Sequence, residues 1–403
     1  MQHGAGHVQP EVGQPKVGQL KAGQPKVAHI IDSLQVGGAQ KLLVTMAEVL
    51  YKHGDALSVM SLDDRQSPIQ DQLQALAVPV FNCGGRNKLF DPGRVRRIAR
   101  YLRQKRFDVV HTHLTHANIL GTVAGRLAGA PVVASLHNTQ LDRRQHSPFK
   151  EFLEITALRF GAQRVIAVGH VVEEAYRPYF GDKPIAIVPN AVSPISALSP
   201  AARTSIRAAL VGDPARPLLI AVGRLTPQKG YPDLLAAVDV LRRTYPAVAL
   251  IIAGEGRLES EVQQQIESMG LTDHVFLLGR RDDVPDLLAA SDVYVSASLW
   301  EGLSVATLEA MAAGLPVVAT QVGEVPRMVV AGAGTIVAPQ DPEALAQALA
   351  SFLESPAKRQ LVGATAKAHV ARYYDANTWV QQLLALYRGL YTPAPPILSQ
   401  EHV

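Results

Sequence analysis

Twice along this chain, short apolar runs alternate with amphipathic stretches of helical length, and no other feature limits its fold so strongly. The first series is VAHIID (27–32), ALSVMSL (56–62), FDVVHTH (107–113), PVVASLH (131–137), RVIAVG (164–169) and AIVP (186–189), separated by helix-like segments such as 38–53 and 92–106. Apolar runs of strand length linked by helices are the pattern of βαβ units in a parallel sheet. A stretch rich in Pro, Ser and Ala at 193–217 interrupts it. The alternation then restarts with LLIAVG (218–223), ALIIAGEG (249–256), HVFLLG (274–279), DVYVSAS (292–298), PVVAT (316–320) and TIVA (335–338). This predicts an α/β protein of two Rossmann-like domains facing across a cleft, with a ligand at the carboxyl ends of the strands. The expected division is 26–192 and 193–374, with an amphipathic helix near 375–391 packing back.

Composition removes whole classes of function. With 403 residues, 47% hydrophobic and 18% charged, the chain is too long for a small binding module and too apolar to be mostly disordered. The exception is residues 1–25, where VGQPK, VGQLK and AGQPK follow one another. A repeat so poor in apolar side chains predicts a disordered low-complexity tail. The single cysteine, Cys83, excludes an intramolecular disulfide and a cysteine zinc cluster, so a cytoplasmic location is expected. Neither a leader-like apolar segment nor a membrane-spanning run is legible, so membrane contact would be peripheral. Residues 1–190 carry 23 Lys and Arg against 15 Asp and Glu, whereas 191–403 carry 16 against 20. The halves therefore face different partners.

Several segments carry chemistry. In LWEGLSVATLEAMAAGLPVVAT, Ser304 stands at an N-cap position, and Gly314 and Pro316 stand where a helix must stop. The helix mouth attracts anions, and Glu301 and Glu309 beside it suit vicinal hydroxyls, or else form a solvated face. In AVGRLTPQKGYPDLL, a strand end releases Arg224 and Lys229, a pair suited to a diphosphate, or else an ordinary basic loop. The loop Ser33–Gln40 places Gly37 and Gly38 at a strand end, but it and Gly254-Glu255-Gly256 lack the G-x-G-x-x-G spacing of a nicotinamide dehydrogenase. His111, His113, His116 and His137 cluster near strand ends without metal-ligand spacing, so no metal is expected. In GRVRRIARYLRQKRF, Arg94, Arg96, Arg97, Arg100, Arg103, Lys105 and Arg106 flank an apolar stripe. They form a solvated face or an attraction to anionic lipid, without the aromatic wedge of an inserted helix. No nucleic-acid motif accompanies them.

Together VGRLTPQKG, IIAGEG, FLLGRRDDV and the Glu301-to-Glu309 element, with IDSLQVGGAQ, FDVVHTHLTHANILG and SLHNT in the first half, resemble the retaining glycosyltransferases of GT-B fold often called glycosyl transferases group 1. The resemblance spans about 26–391. It implies that Arg224 and Lys229 hold a donor diphosphate, Glu309 the ribose and Glu301 the transferred sugar. The amides of Gly302, Leu303 and Ser304 would lie against sugar and phosphate. Gly38 would admit the donor, His137 would stand on the acceptor side, and Arg280 would read the base. It further implies a metal-independent, retaining hexosyl transfer from a nucleotide sugar, UDP-sugar first and GDP-sugar second, to a glycan or lipid-linked acceptor. Surface polysaccharide or glycolipid synthesis at the inner face of an anionic membrane would be the setting. The alternatives are a GT-B nucleotide-sugar epimerase and a non-catalytic nucleotide-sugar-binding or scaffold protein. Two segments depart from the family pattern, Pro189-Asn190-Ala191-Val192-Ser193 and Val168-Gly169-His170. Both lie near the acceptor side or the crossing between domains.

Overall fold

A computed structural model describes residues 24–53, 55, 57–84, 91–138 and 147–391. The tail expected over 1–25 lies outside them as far as residue 23. The first half runs β1 (Val27–Ile31), α1 (Gly38–His53), β2 (Ser58–Ser61), α2 (Pro68–Ala75), β3 (Val80–Asn82), α3 (Pro92–Gln104), β4 (Val109–His113), α4 (Thr115–Ala128), β5 (Val132–Leu136), α5 (Pro148–Gly161), β6 (Arg164–Ala167), α6 (His170–Phe180) and β7 (Ile185–Ile187). Its seven strands form a parallel sheet in the order β3-β2-β1-β4-β5-β6-β7.

The second half runs α7 (Pro200–Val211), β8 (Leu218–Val222), α8 (Tyr231–Thr244), β9 (Ala249–Ala253), α9 (Glu259–Ser268), β10 (Val275–Leu277), α10 (Val284–Ala290), β11 (Val293–Ser296), α11 (Val305–Ala312), β12 (Val317–Thr320), α12 (Val325–Met328), β13 (Gly334–Val337), α13 (Pro342–Leu353), α14 (Pro356–Tyr373) and α15 (Ala376–Arg388). Its six strands are ordered β10-β9-β8-β11-β12-β13. Strand order reverses between β1 and β4 and again between β8 and β11, and at such a reversal the flanking loops diverge and leave a crevice at the carboxyl ends. The loops after β1, β8 and β11 carry the glycine loop, Arg224 with Lys229, and Glu301.

The two-domain α/β fold expected from the alternation is the fold observed. Strand side chains such as Val109, Val132, Leu218, Ile220 and Ile251 are fully buried, as near-continuous apolar runs require in sheets covered on both faces. The chain returns to the first half at its end. Asp375 caps α15 by accepting from the Thr378 amide at 2.9 Å, Val192 bridges to Asp375, and α15 packs on α1.

Local expectations needed three corrections. The interruption at 193–217 contains α7, capped by Ser199 and tied down by buried Arg207, which donates to the carbonyls of Pro214 and Ala290 and to Asp292. The helix expected over 92–106 ends at Gln104, because Arg106 turns into the left-handed region at φ 51°. Arg94, placed on its solvated face, is buried at 2% exposure, since the α3 stripe rotates it inward beside Cys83. Strand β3 gave no alternation signal, being three residues long and only half-buried.

Candidate active site

The loop after β8 becomes a single tight turn, Pro227–Lys229, that ends on Gly230 at φ 60°. A Cβ at Gly230 would lie 2.1 Å from the Ala297 carbonyl, so only glycine lets this turn lie against the strand that leads to Glu301. The result is a compact charge cluster. Lys229 Nζ donates to Glu301 Oε1 at 2.5 Å, Ser298 Oγ donates to the same oxygen at 2.8 Å, and Gln228 Nε2 donates to Oε2 at 3.3 Å. Glu301 is buried at 7% exposure, a position a carboxylate holds only when paired and hydrogen-bonded.

Directly after it comes the mouth of α11. Ser304 Oγ accepts from the Thr307 amide and from Thr307 Oγ1, satisfying one of the first-turn donors. The dipole of this eight-residue helix adds positive potential at Gly302, Leu303 and Ser304. Glu309, further along α11, meets the other half of the protein: Lys41 Nζ of α1 donates to its two oxygens at 3.1 and 3.4 Å. Gly38, the first residue of α1, sits against Val305, the first residue of α11, so closely that a Cβ added to the glycine would lie 3.4 Å from Val305 Cγ2. The glycine loop and the acidic helix therefore face each other across the crevice.

The halves also touch where His137 follows β5. A Cβ on Gly302 would fall 2.3 Å from the His137 carbonyl oxygen, so the absence of a side chain sets this approach. His137 is half-buried, and desolvation lowers its imidazole to about 4, so it is neutral near neutral pH. Its Nε2 lies 3.3 Å from Nδ1 of His113, whose Nε2 lies 3.0 Å from Nδ1 of His29. His111 spends one ring nitrogen on the Tyr387 hydroxyl at 2.6 Å and the other on Ser135 Oγ at 2.7 Å. Ring nitrogens of His29, His111 and His113 come within 4.8 Å of one another. In this structure these hydrogen bonds occupy both ring nitrogens of His111 and of His113. His116 stands apart, 3.1 Å from Asp32. A pocket beside His137 is lined by Thr115, Asn118, Glu151, Glu154 and Tyr176, with Asn118 donating to Glu154 at 2.8 Å.

Not every candidate residue converges. Arg224 and Arg280 are exposed, at the ends of β8 and β10, with no side-chain hydrogen bond among the described residues. Gly254 and Gly256 serve packing: a Cβ on either would collide with the backbone of Gly223 or Leu225. Conversely, sequence reasoning missed Lys41, Gln228, Ser298 and Glu324. The Glu324 carboxylate accepts from the Val171 amide at the start of α6, and Gly169 makes room for it, since a Cβ there would lie 2.4 Å from Glu324 Cγ. The departure at Val168-Gly169-His170 is thereby explained, because the cap of α6 comes from the other half.

Comparison with known proteins agrees with this architecture. The profile of glycosyltransferase family 4 matches residues 36–194 and that of glycosyl transferases group 1 matches 202–369. A phosphatidyl-myo-inositol mannosyltransferase of Mycolicibacterium smegmatis is 30% identical over 361 residues, covering 87% of this chain and 90% of its own. The Escherichia coli UDP-Gal:alpha-D-GlcNAc-diphosphoundecaprenol alpha-1,3-galactosyltransferase is 28% identical over 311 residues, 74% and 79% of the two chains. The crystal structure of Anabaena Alr3699/HepE in complex with UDP and glucose shares the fold, with a TM-score of 0.80 at 24% identity over 90% of this chain and 99% of that one. With both halves matched in order and a relative aligned over most of its length, the chain belongs to the glycosyl transferases group 1 family and is a glycosyltransferase of GT-B fold.

Proposed function

We propose that this glycosyltransferase moves a hexosyl group, with retention, from a nucleotide sugar to a lipid-linked or glycan acceptor at the inner face of a membrane. The observation that carries the reading is the convergence of Lys229, Glu301, Glu309 and the α11 mouth on one side of a crevice, with His137 and Gly38 on the other. UDP-sugar is the first donor to consider and GDP-sugar the second. The crystallised Anabaena neighbour holds UDP, and the relatives named above act on lipid-linked acceptors.

The chemistry follows from the charges. A diphosphate that takes up Lys229 and Arg224 leaves Glu301 to accept from sugar hydroxyls, while Glu309 accepts from the ribose. Arg280 lies toward the base. As the bond from the anomeric carbon to the phosphate oxygen breaks, negative charge grows on the departing diphosphate. Lys229, Arg224 and the α11 amides stabilise it there, without a metal. The acceptor oxygen bonds the anomeric carbon on the face the phosphate leaves, and its proton passes to the departing phosphate oxygen. Neutral His137 lines the acceptor side and orients the incoming hydroxyl.

The test is a panel of UDP-, GDP- and ADP-sugars with EDTA present, read by thermal stabilisation and slow donor hydrolysis, beside Glu309→Ala. One donor should stabilise the protein and be hydrolysed, with both effects lost in the variant. Absence of any nucleotide effect would overturn the donor assignment. Inversion at the anomeric carbon, read by proton coupling in the product, would overturn retention.

A further inference from the structure

The basic face of the arginine-rich helix α3 carries no apolar wedge of its own. The structure supplies the wedge from its neighbours. Of the nine exposed large apolar side chains among the described residues, six lie on α4, α5 and α6. Phe160 is 76% exposed, Phe152 63%, Leu127 49% and Val123 43%.

These helices form one surface. The Arg103 guanidinium of α3 donates to the Leu127 carbonyl at the end of α4. Gly161 of α5 packs against Thr122 of α4, and Arg159 donates to the Tyr179 carbonyl of α6 at 3.3 Å. The same helices carry exposed Arg96, Arg97, Arg100, Arg103, Arg126 and Arg159, the last with its guanidinium 5.6 Å from the centre of the Phe160 ring. Opposing carboxylates are few: α3 and α4 contain no acidic residue, Asp91 pairs with Arg97, and of the two on α5 Glu154 is buried and Glu151 half-buried.

We propose that this α3–α4–α5 face seats on a bilayer containing anionic lipid, with Phe152, Phe160 and Leu127 entering the headgroup boundary and the arginines pairing with lipid phosphates. Exposed aromatic and aliphatic side chains on helices where cations outnumber carboxylates match such a surface in both hydrophobicity and charge. The pocket beside His137 is lined by the N-terminal halves of α4 and α5, through Thr115, Asn118, Glu151 and Glu154. An acceptor anchored in the bilayer thus reaches the crevice along the same helices, its hydroxyl-bearing head toward the carboxylates and its phosphates toward the arginines. The inference deepens the lipid-linked-acceptor reading, but its test contains neither donor nor acceptor, so the two fail separately.

The full chain is co-sedimented with phosphatidylcholine vesicles, with and without phosphatidylglycerol. Wild type should pellet with the anionic vesicles only. Phe152→Ser with Phe160→Ser, and separately Arg100→Glu with Arg126→Glu, should each weaken binding about tenfold or more, leaving melting temperature and donor hydrolysis unchanged. Leu361→Ser with Tyr373→Ser, exposed apolar residues of α14 in the other half, should bind like wild type. As a readout independent of these losses, Phe160→Trp should blue-shift its emission on adding anionic vesicles. Failure of wild type to bind, undiminished binding by the Ser or Glu pairs, or unshifted Phe160→Trp emission would each overturn the proposal. So would loss of a dimer in the Ser pair with vesicle binding intact, which would make the face a protein contact.

Discussion

Lys229 and Glu301 are each other's condition for being where they are. Their side chains are only 18% and 8% exposed, so neither charge is well hydrated and each depends on the other. Lys229→Ala should destabilise the protein by about 1–3 kcal/mol and abolish donor stabilisation. Adding Glu301→Gln should restore most of the stability and none of the activity, and additive losses in chemical denaturation would refute the coupling. The histidine cluster makes a second prediction. Burial lowers His29 to about 3 and His137 to about 4 and shifts His111 and His113 the same way. The unfolded chain binds protons on all four near 6.5, where the folded chain does not. Their stabilising contribution is therefore complete above about pH 6.5 and is lost as the pH falls toward about 4. Melting temperature should decline across that window, and a flat profile would contradict the buried cluster. Of these residues, Glu301 and Lys229 were legible from local signals, a helix cap and a strand-end glycine. His29 was not, because its partner His113 is 84 positions away.

At the scale of elements, α6 begins without a side-chain cap of its own, because Gly169 occupies the position. Serine there would ordinarily improve a helix start. Here the Glu324 carboxylate already accepts from the Val171 amide, and a Cβ on residue 169 would intrude on it. Gly169→Ser should therefore destabilise by about 1–3 kcal/mol, while Gly169→Ser with Glu324→Ala should recover part of the loss, as thermal or denaturant melts would show. A stabilising Gly169→Ser would mean that the cap from the other half contributes nothing. Helix α11 is the opposite case, since its cap Ser304 and its stop at Gly314 are local and were readable in the chain. The helix α7 inside the 193–217 interruption escaped notice because Pro200 and Ser199, which start it, also read as linker residues.

Across the whole molecule, the halves meet at a handful of close approaches among the described residues: Gly302 on the His137 carbonyl, Gly38 on Val305, Lys41 on Glu309 and Glu324 on α6. Gly302→Ala should force the halves apart at the crevice, reducing kcat about a hundredfold while nucleotide affinity changes little, which kinetics beside nucleotide titration would check. Unchanged kcat would show that this approach does not set the reacting geometry. The α/β class, the two-sheet plan and the capped start of α11 were determined by the chain itself, because strand alternation, caps and stop signals act between residues a few positions apart. Which charge meets which was decided only by tertiary structure. Lys41 finds Glu309 across 268 positions and Glu324 finds α6 across 153, pairings that exist because two separately wound sheets come to rest against each other. No local periodicity records such a meeting, since its energy arises only once both sheets have formed and their loops share one crevice.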